Sequence, residues 1–119
     1  MLWSELLEVL EATAVVPSGD FEFHNIAAAD LLSDILATQK EDFVMVTGQT
    51  TAAAIRTALA VGALGVVVVR GKTVPDECIE LAQSLNVPLA VTRQMMFESC
   101  YLAGARLWSS PSSKSLSTA

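Results

Sequence analysis

The stretch Gly65-Val66-Val67-Val68-Val69-Arg70-Gly71-Lys72-Thr73 decides the fold. Four successive β-branched valines without polar alternation form a strand covered on both faces, the environment of a strand inside a parallel sheet. Two more short apolar runs flank it in sequence, Phe43 to Val46 and Pro88 to Val91. Each of the three is followed by a segment of helical period: Thr51 to Val61, Pro75 to Leu85 and Gln94 to Trp108. Strands and helices alternating at these lengths are βαβ units with right-handed crossovers. The punctuation agrees. Thr50 or Thr51 caps the first of these helices and Gly62 takes the left-handed position at its end. Pro75 suits the first helical position of the next, with Asp76 and Glu77 complementing the dipole, and Asn86 ends it.

Before Phe43 the pattern is more irregular. Leu2, Leu6, Val9 and Leu10 share one side of a helix over Leu2 to Ala12, with Glu5, Glu8 and Glu11 elsewhere. Ala14 to Val16 then extends into the turn Pro17-Ser18-Gly19-Asp20. Phe21 to Ile26 alternates aromatic and polar residues, as a strand exposed on one face does. Asp30 is placed to cap a helix over Leu31 to Thr38. The expected architecture is a three-layer α/β/α domain over residues 1–108, with a mainly parallel sheet of four to six strands. A flexible Ser-rich tail is expected over 109–119.

Composition bounds the function. The chain has 119 residues, 52% hydrophobic and 17% charged, which fits one domain and excludes disorder of the whole. The formal charge of −6 argues against nucleic acid or an anionic membrane surface as a bulk partner. That charge is uneven: residues 1–42 hold nine acids and one base, residues 43–119 four acids and six bases. The longest uncharged apolar run, Thr57 to Val69, has 13 residues, short of the roughly 20 of a membrane-spanning helix. Glu5, Glu8 and Glu11 stand where a signal peptide would be basic, so a cytoplasmic location is expected. Two cysteines and one histidine make no multi-ligand metal site, and no cofactor is expected.

Most candidate chemistry fails on spacing. Five residues separate Gly65 from Gly71 where a phosphate loop has four, and the would-be loop is itself a strand. Cys78, Cys100 and His24 could form a nucleophilic set, but both thiols lie at core spacing and His24 sits in an exposed strand. Met95, Met96, Phe97 and Trp108 recur at helical spacing and are read as core. The carboxylate pairs Asp30 with Asp34 and Glu77 with Glu80 are read as solvated helix surface. The βα loops are more informative, because in a parallel sheet they gather at one edge. They are Thr47-Gly48-Gln49-Thr50-Thr51, Arg70-Gly71-Lys72-Thr73 and Thr92-Arg93-Gln94. Three of the seven basic residues, Arg70, Lys72 and Arg93, fall there among hydroxyls, glycines and helix N-termini, which is the composition of an anion site. The candidate ligand residues are therefore Thr47, Gly48, Gln49, Thr50, Thr51, Arg70, Gly71, Lys72, Thr92 and Arg93.

These segments carry a resemblance. Ala29 to Ala37, Val46-Thr-Gly-Gln-Thr-Thr51, Gly65 to Gly71 with Pro75-Asp-Glu, Val87-Pro88, and Thr92-Arg93 with Phe97-Glu98 resemble the DRTGG domain family in its stand-alone form. More distantly, the chain resembles the N-terminal domain of HPr kinase/phosphorylase. Gly48-Gln49-Thr50 and Arg70-Gly71-Lys72 stand where that family has its naming motifs. The resemblance implies a regulatory, ligand-sensing role of the kind attached to phosphotransacetylase and CBS-containing pyrophosphatase, and no catalytic residues. The resulting expectation is a non-catalytic module that senses a small anionic metabolite or nucleotide. The alternative is a self-association or protein-interaction module, since so apolar a small chain cannot hide all its hydrophobic surface; a homodimer and an unidentified protein partner are expected on that ground.

Overall fold

Within each central strand the side chains alternate between two buried faces, and this alternation builds the layers. A computed structural model describes residues 1–108; the expected tail at 109–119 lies outside the described residues. In chain order the elements are α1 (Trp3–Val9), β1 (Thr13–Val16), β2 (Asn25–Ala28), α2 (Leu32–Leu36), β3 (Phe43–Thr47), α3 (Ala52–Ala60), β4 (Val66–Val68), α4 (Asp76–Ser84), β5 (Leu89–Val91) and α5 (Met96–Leu107). The five strands lie in the order β1-β5-β4-β3-β2. β2 to β5 run parallel and β1 closes the sheet antiparallel to β5. The expected three-layer, mainly parallel α/β architecture is the observed one.

One rung across the parallel strands, Ala27, Met45, Val66 and Leu89, packs with Ile35, Ile55 and Ala82 of α2, α3 and α4. In the next rung Val46, Val67 and Ala90 face the other way, onto Trp3, Leu6 and Ala103 of α1 and α5. Val66 and Val67 are both fully buried, and each contributes about 1.5–3 kcal/mol of apolar burial. Sequential order along β2, β3, β4 and β5 with right-handed crossovers forces α2, α3 and α4 onto one face. The opposite face is covered by α1, which precedes the sheet, and by α5, which follows β5.

Local signals account for most boundaries. Thr51 caps α3, its hydroxyl accepting from the Ala54 amide at 3.2 Å. Gly62 follows that helix at φ +76°, and Asn86 ends α4 at φ +56°. Pro75 is the N-cap of α4 rather than its first helical residue, so the helix starts one residue later than expected. The first half departs further. The strand expected over Phe21 to Ile26 is instead β2 at Asn25–Ala28. Phe21 stacks on Trp3 with ring centres 5.2 Å apart, and Phe23 is buried beneath α1, so the aromatic alternation records a docking segment. At the outer edge of β2 the Lys40 ammonium donates to the Ile26 carbonyl at 2.6 Å, satisfying a group that would otherwise invite another strand. Among the described residues no helix is long and apolar enough to cross a membrane.

Candidate functional site

The loops that leave β2, β3, β4 and β5 meet at the C-terminal edge of the sheet. At the end of β3 the buried Thr47 hydroxyl accepts from the Gln49 amide at 3.1 Å and turns the chain at once. Gly48 then passes so close to the next loop that a Cβ would stand 2.0 Å from Arg70 Nη2. After β4, Arg70 and Gly71 are both left-handed, at φ +72° and +63°. Their amides donate to the Gln94 carbonyl at 2.8 Å and the Thr92 carbonyl at 2.9 Å, which ties the β4 loop to the β5 loop. The buried Thr92 hydroxyl donates to the Leu10 carbonyl at 2.6 Å and accepts from the Gln94 amide at 3.2 Å. The end of α1 therefore hangs from the site.

Two of the three clustered bases already have partners. The Asp30 carboxylate accepts from the Gly48 amide at 2.8 Å and from the Arg70 guanidinium at 2.5 Å. Lys72 donates to the Gly48 carbonyl at 2.7 Å, and the Gln49 side-chain amide donates to the Asp30 carbonyl at 2.8 Å. The Gly48 amide, with Arg70 and Lys72 beside it, holds the Asp30 carboxyl below the usual carboxylate range against the opposing effect of partial burial. Arg93 differs: among the described residues it has no ion pair or side-chain hydrogen bond. It lies in an open depression of about 220 Å³ lined by Glu11, Thr13, Gly71, Lys72 and Thr92. The β4 loop leads to one face of the sheet and the β5 loop to the other, so this depression sits where neighbouring loops diverge. Such divergence points are where open α/β sheets take ligands.

The ten residues singled out from the sequence thus divide. Gly48, Gln49, Arg70 and Lys72 surround Asp30; Gly71, Lys72, Thr92 and Arg93 border the depression. Thr47 and Thr51 shape the turn and cap α3, and the Thr50 carbonyl accepts from the Cys78 thiol at 3.4 Å. Asp30 corrects two sequence expectations. It is not the cap of α2, whose N-cap is Leu31, and, though 44% exposed, its side chain bonds Gly48 and Arg70 rather than standing on a helix surface beside Asp34. It is the first charged residue after β2, and it was legible only with that strand in the right place.

Other expectations change as well. Cys78 is buried, as expected of a small hydrophobe, whereas Cys100 is only partly so. Met95, Phe97 and Trp108 are not core: they are 55%, 76% and 58% exposed. The sheet-facing side of α5 is built on Ser99 and Ala103, small residues that let the helix lie close to the sheet, while Gly104 is covered by the Trp108 ring, which a Cβ there would meet at 3.1 Å. His24 is exposed between Glu22 at 3.5 Å and Asp42 at 3.8 Å. No three of His, Cys, Asp and Glu gather into a metal-holding group among the described residues.

Fold and edge together define a three-layer α/β domain with a polar, loop-built C-terminal edge. A solved structure shares this fold: the CBS and DRTGG domains of the regulatory region of Clostridium perfringens pyrophosphatase, complexed with the activator diadenosine tetraphosphate. The two align with a TM-score of 0.65 at 19% identity, over 84% of this chain and 44% of that one. This chain therefore spans less than half of that regulatory region. The likeness supports the DRTGG-like fold expected from the sequence. No family model matches the chain, and no curated protein does.

Proposed function

We propose that the domain is a non-catalytic regulatory module that takes a small anionic metabolite, or the phosphates of a nucleotide, at the C-terminal edge of its sheet. The observation that carries this reading is Arg93. It is an uncommitted guanidinium beside Lys72, Gly71 and Thr92, in a depression at the point where the β4 and β5 loops diverge. The structural neighbour's complex with an activator nucleotide favours the same class of ligand. Lys72 lines this depression as well as bonding Gly48, and through Gly48 it borders the Asp30–Arg70 pair. An anion held by Arg93 and Lys72 reaches that pair next, where Asp30 already occupies the Arg70 guanidinium as an internal carboxylate.

A thermal-shift series with phosphate, acetyl phosphate, mononucleotides and dinucleotides tests the reading. A ligand present at a hundred times its dissociation constant stabilises by about 2.7 kcal/mol. The shift should disappear in Arg93→Ala and weaken in Arg70→Ala. No shift with any of these anions, or an undiminished one in Arg93→Ala, refutes the site.

A further inference from the structure

The outward side of α5 gathers three of the exposed aromatic side chains among the described residues. Phe97, Tyr101 and Trp108 are 76%, 66% and 58% exposed, and Met95 at the N-cap is 55% exposed. Positions 97, 101 and 108 fall on one stripe of a helix with 3.6 residues per turn, and Ala105 completes it. The stripe lies opposite Ser99 and Ala103, which face the sheet, so it points straight out from the domain. Among the described residues of α5 the stripe itself carries no charge, and Glu98 stands beside it. Exposed Phe, Tyr, Trp and Met without charge is the composition of an interface centre rather than of ordinary surface.

We propose that this stripe is a homodimer face, covered by the α5 of a second copy of the chain packed antiparallel. Area supports the choice. The three rings at these exposures leave roughly 400 Å² of apolar side chain in water, about half of the ~800 Å² that each partner gives to a standard interface. Flanking residues of α5 supply the remainder. A two-fold axis through the middle of the stripe makes it self-complementary, each Phe97 end meeting the other's Trp108 end, as an isologous contact requires. Antiparallel pairing also sets the positive end of each helix dipole beside the negative end of the other.

Sedimentation equilibrium of the full 119-residue chain over about 1–200 µM tests this, a range that spans micromolar dissociation constants. The expected result is a discrete dimer. Phe97→Glu and Tyr101→Glu should each weaken it by at least about tenfold, which is about 1.4 kcal/mol, while far-UV circular dichroism is unchanged. Arg56→Glu on α3, across the sheet, should leave it intact. Hydrogen exchange on the unmodified chain gives a readout that needs no variant: amides of α5 should gain protection as concentration rises through the dimerisation midpoint. A monomer throughout the range, a dimer equally tight in both α5 variants, or open-ended growth in place of a dimer overturns the proposal.

Discussion

Replacing Asp30 by Asn removes one charge from the edge of the sheet while keeping an acceptor for the Gly48 amide. In the native chain that carboxylate joins three loops, those after β2, β3 and β4. The Asp30 and Arg70 side chains are 44% and 36% exposed, so solvent screens their attraction and the pair is worth at most about 1 kcal/mol. Weakening a charge-assisted bond from Gly48 to a neutral one adds roughly 0.5–1 kcal/mol. The expected loss at pH 7 is about 1–2 kcal/mol, which for a domain of this size is a fall in Tm of roughly 4–10 °C.

The pH dependence separates this account from a packing defect. Asp30 has its folded pKa lowered, so its contribution is complete above the unfolded value near 4 and is lost as pH falls through the folded value. Urea unfolding of the native chain and of Asp30→Asn at pH 7, 5, 4 and 3 should therefore show a stability gap that is level from pH 7 to 5 and narrows below about 4. Asp20, whose carboxyl is also held low by Ser4, titrates in both proteins and cancels. Equal stability at pH 7, or a gap as wide at pH 3 as at pH 7, refutes the reasoning.

Three further outcomes follow from the same contacts. Gly48→Ala should fold, because its Cβ meets only the mobile end of Arg70, but it should displace that guanidinium from Asp30; coupling in a double-mutant cycle with Asp30→Asn should appear as non-additive urea midpoints. Thr92→Val should cost about 1–3 kcal/mol in urea unfolding, because it leaves the Leu10 carbonyl without its donor in a buried position. Ser99→Ala should be neutral or stabilising by up to about 1 kcal/mol in the same assay, since the buried Ser99 hydroxyl has no hydrogen-bond partner among the described residues.

The parts of the fold legible in the sequence are those where one signal has one interpretation. The valines of β4 admit only a doubly covered strand, and Thr51 and Gly62 bracket α3 by capping chemistry that acts within a few residues. Signals with two interpretations misled. Phe21 and Phe23 alternate like a strand, but they alternate because they wedge against Trp3 and under α1, a tertiary reason invisible in the period. The α5 helix carries two apolar stripes, and periodicity says that stripes exist without saying which one faces the sheet. Steric closeness decided for Ser99 and Ala103. The candidate site was legible to the extent that parallel strands put Arg70, Lys72 and Arg93 at one edge. That Asp30 and Gly48 would engage two of these bases depended on the position of β2.

The loop between β5 and α5 carries Arg93 at one end and Met95 at the other, two residues apart. An anion on Arg93 and a second copy packed on α5 would meet the chain on either side of a single short segment of backbone, the route by which one would act on the other. Thermodynamic reciprocity then fixes the relation: whatever factor an anion applies to the association constant, association applies to the affinity for that anion. A domain of this size needs no moving lid to act as a switch if its ligand contact and its partner contact are neighbours on one turn.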